Sequence, residues 1–276
     1  PHIDRLASRG MSFSDAHTSS ALCTPTRYGI MTGRYNWRSR QKQKGGSGVS
    51  FPLIDQKRIT IADLFQSEGY HTSLIGKWHL GLNWAMKAGA DQKDQLGDFS
   101  GIDFSKPISN GPQSQGFVYS YGLMASLSSP PYIYVENSMP TSMLVGSSVS
   151  HDEKAFWRLG PVGEDFRHAE VLTNLTERSV DYLEERAGNE EPFFLYVTLT
   201  APHAPIIPTT DFIGKSNASA YGDFVVQVDH AVGRITETIA ADPRLANTLV
   251  FFTSDNGQSP RADFDDDELP LAGHSG

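Results

Sequence analysis

Four short stretches hold side chains whose types and spacing could do chemistry. The first is "ALCTPTRYGIMTGRY", residues 21–35, with the only cysteine of the 276 residues, Cys23. Thr24 can cap a helix and Pro25 suits a first helical position. Cys23 would then stand at the positive end of a helix dipole, with Arg27 one turn on and on the same side. A helix N-terminus plus a guanidinium suits an anion, or a nucleophile of lowered pKa. Taken alone, a single cysteine is more often a small buried apolar side chain.

The second stretch is "GKWHLG", residues 76–81. In extended geometry Lys77 and His79 face one way and Trp78 the other. A cation beside an imidazole suits binding and proton transfer at an anionic group. The third is "TAPHAP", residues 200–205, where His203 is held between Pro202 and Pro205. The fourth is "SDNG", residues 254–257, where Asp255 and Asn256 offer hard oxygen donors for Ca²⁺ or Mg²⁺. Each has a plain alternative: a solvated strand end, a turn histidine, an Asx-turn. The densest acidic run, "DFDDDEL" at 263–269, lacks EF-hand spacing and reads as a solvated loop. The chain has no GxSxG, Walker A or HExxH motif, and no second cysteine for zinc.

Positioning these groups requires alternating helices and strands. Residues 1–9 read as a short helix and "MSFSDAH", from Met11, as a strand. Residues 36–58 read as a basic, solvated loop. "RITIADLFQSEG" reads as a helix with Ile61, Ala62 and Phe65 on one face and Gly69 as its stop, and "YHTSLIG" as a strand. Periodicity fades from about 82 to 168, read as an ordered elaboration that walls a pocket. It returns in a helix from Glu170, where Val171, Leu172, Leu175, Tyr182 and Leu183 share a face. "PFFLYVTLT" reads as a buried strand. A helix over 218–240 carries an apolar stripe from Tyr221 to Ile239. "TLVFFTSDNG" reads as another buried strand running into a turn. The pattern is that of an α/β fold with a mainly parallel central sheet flanked by helices, and sites in such folds lie beyond the carboxyl ends of strands.

Composition narrows the partners. Against 32 acidic residues there are 23 Lys and Arg, a formal net charge of −9. That argues against nonspecific nucleic-acid binding, so an anionic ligand needs a locally positive site. Mean hydropathy is −0.35, and no apolar run is long enough to span a membrane. One cysteine forbids an internal disulfide and leaves the compartment open. The first residues, "PHIDRLASRG", carry no targeting pattern.

Together and in their order, the four motifs resemble the sulfatase family of the alkaline-phosphatase-like superfamily, bacterial carbohydrate sulfatases in particular. The carriers are C-x-P-x-R with T-G-R (Cys23, Pro25, Arg27, Thr32, Gly33, Arg34), G-K-x-H-x-G, P-H-x-P and S-D-N-G. Thr26 stands where the family more often has Ser. The resemblance implies that a maturation enzyme converts Cys23 to formylglycine, whose hydrate attacks sulfur and also approaches the metal. It implies that Arg27 holds the hydrate, and that Lys77 binds sulfate and the nucleophile. His79 would take the proton when the second hydroxyl collapses and expels sulfate. His203 would contact sulfate and assist the leaving oxygen, and Asp255 and Asn256 would bind Ca²⁺, with Mg²⁺ as the alternative. The chemistry is coherent: cations offset the charge that shields a sulfate ester, and a gem-diol attacks with one oxygen and leaves with the other.

The expectation is a catalytic domain over 1–276 that is partial, incomplete at both ends. The family's two aspartates would precede Pro1, and its G-x-K lysine would lie beyond Gly276. The construed substrate is a sulfated carbohydrate, or else an aryl sulfate, met in the periplasm or outside the cell. "SLSSPPYIYVEN" and "WRLGPVGEDFRH" resemble segments of carbohydrate sulfatases, which makes His151, Arg158 and His168 candidate sugar contacts. Two rivals stand: a phosphodiester or phosphonate monoester hydrolase of the same superfamily, and a non-catalytic sulfated-glycan-binding relative.

Overall fold

The computed structural model describes residues 1–40, 46–93 and 97–257. Helices α1 (His2–Arg9), α2 (Cys23–Thr32), α3 (Ile61–Ser67), α4 (Val171–Ala187) and α5 (Ala220–Ala241) surround strands β1 (His71–Lys77), β2 (Tyr119–Leu123), β3 (Val135–Glu136), β4 (Met139–Pro140) and β7 (Phe193–Thr198). These strands form one sheet in the order β4-β3-β2-β1-β7, and β5 (Leu144–Ser150) pairs with β6 (Trp157–Gly163) in a separate hairpin. β1 runs parallel to both β2 and β7; β2, β3 and β4 are antiparallel. This is the expected α/β sheet, mixed at one end.

Alternation along β1 divides the core. Leu74 packs with Tyr28, Met31, Ala62 and Trp78, on the face covered by α2 and α3. Its neighbour Ile75 packs with Tyr121, Phe166, Val171 and Leu175 on the face covered by α4. α5 lies outside α4, joined by Leu172, Phe224 and Val228. Local chemistry sets the ends of these helices. Thr60 and Asp63 form a reciprocal capping box on α3, Ser219 caps α5, and Gly33 (φ 63°) ends α2 in the left-handed conformation.

Five readings from the sequence need correction. α2 begins at Cys23, with Leu22 before it and no side-chain cap, so Thr24 and Pro25 lie inside the first turn. Thr24 is spent elsewhere: its hydroxyl accepts the Gly46 N–H at 3.0 Å. "MSFSDAH" and "TLVFFTSDNG" form no ladder among the described residues, and Phe13 and Phe251 stay 72% and 82% exposed. β propensity becomes a strand only where a neighbour satisfies its amides, and neither segment pairs with the sheet. The "basic loop" at 36–58 is not merely solvated, since Val49, Leu53 and Ile54 enter the core and Leu53 N–H donates to the Leu80 carbonyl at 2.8 Å. The aperiodic stretch 82–168 contains β2, a parallel strand of the main sheet; its "YSYGL" is too short to register as a pattern. The acidic run 263–269 lies outside the described residues.

Candidate active site

The carboxyl ends of β1 and β7 and the N-terminus of α2 converge. β1 ends in Lys77, which is 3% exposed; Trp78 turns into the core, and His79 returns to the site with φ 58°. The chain can make this turn because Gly76, at φ 129°, lies flush between β2 and β7, opposite Gly122 and Thr198. At the end of β7 and just past it, Thr198 and Thr200 are buried with unpartnered hydroxyls, and His203 stands exposed. The prolyl bonds on either side of His203, at Pro202 and Pro205, are both cis.

Cys23 is half-buried at the start of α2. Burial pushes its thiol pKa up, but a hydrogen bond with His203 and the Lys77 charge outweigh that and bring it down to about 7. Burial, and then the Arg27 charge, lower the Lys77 pKa, and the nearby Cys23 sulfur offsets part of that. His203 Nδ1–H donates to the Ala204 carbonyl at 2.6 Å.

Arg27 is the hinge of the arrangement. Nη1–H donates to the Lys77 carbonyl at 2.7 Å, while Nε–H and Nη2–H both reach Asp255 Oδ2 at 3.0 Å. This 5%-exposed guanidinium therefore ties the helix that bears Cys23 to β1 and to a residue 228 positions away. His79 Nε2–H donates to the Gly46 carbonyl at 2.9 Å, whereas Nδ1 is buried with no hydrogen-bond partner. Burial, then Lys77, holds its pKa well below the ordinary histidine value. His79 is therefore neutral, with a free lone pair on Nδ1.

Cys23, Arg27, Lys77, His79, His203 and Asp255 thus come together in one place. Asn256 follows Asp255, and its Oδ1 is buried and unpartnered. These two residues fit a hard divalent cation in donor type, with Asp255 Oδ1 not engaged by Arg27. Two donors fall short of the six to eight oxygens of a Ca²⁺ site, and no group of three or more His, Cys, Asp or Glu suited to a metal occurs among the described residues. An open groove of about 590 Å³ lies alongside, lined by Ala16, His17, Thr18, Thr253, Ser254 and Asn256.

Sequence reasoning missed the Thr24–Gly46–His79 relay; a Gly-rich loop near a basic run gave no hint of it. Of the candidate sugar contacts, His168 is not at the surface. It is 9% exposed and stacked on Trp157, with ring centroids 4.0 Å apart, so it serves the core beneath the hairpin. Arg158 is exposed and donates to the Ser128 carbonyl at 3.2 Å; His151 is exposed on the β5–β6 turn.

The family profile named Sulfatase matches residues 1–274, and the chain belongs to the sulfatase family. Among curated relatives, it is 31% identical to the N-acetylgalactosamine-6-O-sulfatase of Bacteroides thetaiotaomicron (strain VPI-5482), over 93% of this chain and 54% of the relative. It is 28% identical to the mouse N-acetylgalactosamine-6-sulfatase, over 93% of this chain and 45% of the relative. A solved sulfatase from work on glycosaminoglycan metabolism in B. thetaiotaomicron superposes with a TM-score of 0.77 at 29% identity, covering 93% of this chain and 57% of that one. The chain spans about half the length of the curated relatives it matches.

Proposed function

We propose that the protein hydrolyses a sulfate ester on a carbohydrate, using formylglycine made from Cys23 and a Ca²⁺ ion held in part by Asp255 and Asn256. The observation that carries this reading is the placement of Cys23 at a helix N-terminus, between the Lys77 ammonium and His203, with Arg27 fixing the frame. The sugar is supported by the N-acetylgalactosamine-6-sulfatases among the relatives.

The chain's own residues divide the work. The α2 N-terminus and Lys77 supply positive potential where an otherwise acidic protein meets an anion. His203 reaches the same point from the solvent side, suited to donate to the departing sugar oxygen. Arg27 holds Lys77 and Asp255 in one geometry, which preorganises the site before substrate arrives. Neutral His79 accepts a proton at Nδ1, because Gly46 occupies Nε2 and fixes the tautomer. Once converted, residue 23 supplies an oxygen nucleophile in place of the thiol; a bound divalent cation supplies charge neutralisation at the sulfate.

The test is mass spectrometry of the peptide containing Cys23, taken from the whole protein made in its native host, alongside turnover of an aryl sulfate and an aryl phosphodiester. Conversion of Cys23 with preferential sulfate release is expected. An intact thiol with full sulfatase turnover sinks the formylglycine assignment. Preferential phosphodiester turnover points to the hydrolase alternative, and sulfated-glycan binding without turnover to a non-catalytic relative.

A further inference from the structure

Beyond the far end of α2, the chain makes a 3-10 turn at Asn36–Arg38. Asn36 is buried at 2% exposure, and the turn leaves the rings on either side of it outside. Tyr35 and Trp37 are 56% and 52% exposed and stack on each other, with centroids 4.1 Å apart and planes 11° from parallel. A stacked pair of aromatic rings open to water offers a flat apolar face with polar edges on which a ligand ring can pack.

The charge around the pair is a separate observation. Residues 16–54 contain no Asp or Glu, although the chain carries 32 of them. Arg38 on the same turn is exposed. Arg40 is exposed too, its Nη2 anchored on the Phe51 and Pro52 carbonyls at 2.9 and 3.0 Å. A flat apolar platform next in the chain to exposed arginines, of which Arg40 is anchored, complements a pyranose ring that bears sulfate: the ring's C–H face packs on the aromatic, and the anion meets a guanidinium. α2 has 10 residues, so the platform lies about 15 Å from Cys23 along the helix axis, too far to contact the sulfate being cleaved.

We propose that Tyr35 and Trp37, with Arg38, form a second binding site for a sulfated polysaccharide, separate from the catalytic pocket. The site holds the polymer rather than the reacting ester. The proposal rests on the reading that the substrate is a sulfated glycan, but not on Cys23 being converted.

The experiment uses the whole protein with Cys23→Ala, which removes turnover. Affinity electrophoresis is run through gels containing chondroitin 6-sulfate or the same polymer chemically desulfated. Retardation by the sulfated polymer alone is expected, weakened about tenfold in Tyr35→Ala/Trp37→Ala and less in Arg38→Ala. In the Cys23 protein the same substitutions leave turnover of a small aryl sulfate unchanged. Hydroxyl-radical footprinting of the whole protein supplies a second readout, with both rings labelled when free and protected by the sulfated polymer. Equal retardation of the double variant overturns the proposal. So do rings that stay unlabelled without polymer, which would mean that another part of the whole protein covers them. If the platform binds polymer yet no sulfate is released from any ester, the catalytic reading fails and this one stands.

Discussion

Replacing Gly76 by alanine probes the point where the sheet hands over to the chemistry. Gly76 has φ 129°, a region that costs a residue with a side chain about 1–3 kcal/mol. A methyl group there would lie 2.6 Å from the Thr198 carbonyl carbon and 2.7 Å from its hydroxyl, so β7 must shift. Overpacking of this kind costs about 1–3 kcal/mol more. The sum, about 2–6 kcal/mol, corresponds to a melting temperature lower by at least about 4 °C in a chain of this size. The functional loss should be larger than the stability loss implies. Lys77 follows directly, its carbonyl accepts the Arg27 guanidinium, and a misplacement of about 1 Å at a site costs on the order of 100-fold in kcat/KM. Gly69→Ala is the control, since it too has a positive φ but nothing within 4 Å of the added methyl. Both variants of the whole protein would be followed by thermal unfolding and by sulfate release. If Gly76→Ala melts and turns over like Gly69→Ala, the packing argument is wrong.

Three further outcomes are expected. Burial holds the His168 pKa down at about 4, against 6.5 in the unfolded chain, so the unfolded state binds a proton first. Stability should be intact above about pH 6.5 and fall by up to about 3 kcal/mol as the pH drops to about 4; His168→Phe should flatten that slope in urea titrations, and an unchanged slope would refute it. Asp229 accepts the His2 and Ile3 N–H groups at 2.9–3.0 Å, so Asp229→Ala should cost about 1 kcal/mol and speed hydrogen exchange in α1 while leaving α4 protected. With two oxygen donors from Asp255 and Asn256, residues 1–276 by themselves should bind Ca²⁺ weakly in calorimetry and release little sulfate; tight binding would show that the ligand set is complete within them.

Much of the site was legible because its chemistry is encoded over short spans. The C-x-P-x-R spacing puts Cys23 and Arg27 on one helical side wherever the helix starts, so misplacing its first residue by two positions did no harm. Alternation put Lys77 and His79 on one side and Trp78 on the other, and the structure reaches that arrangement through a turn after β1, with His79 at φ 58°. The two apolar segments read as strands failed for the opposite reason. Composition reports a willingness to be extended, but a ladder needs a partner, and Phe13 and Phe251 have none among the described residues. β2 was lost for want of length.

The sequence by itself determined which groups are available: one cysteine, its arginine, the Lys–His pair, the proline-flanked histidine, and the Asp–Asn pair. The tertiary structure alone decided what each is bonded to, and therefore its state. Arg27 meets Asp255 across 228 residues, and the loop at Gly46 selects the His79 tautomer and leaves Nδ1 open. Those contacts are made between elements distant in the chain, and local propensity holds no record of distant partners. The same burial that brings Lys77 and His79 together moves their proton affinities, so reactivity here is a property of the fold rather than of the residue types.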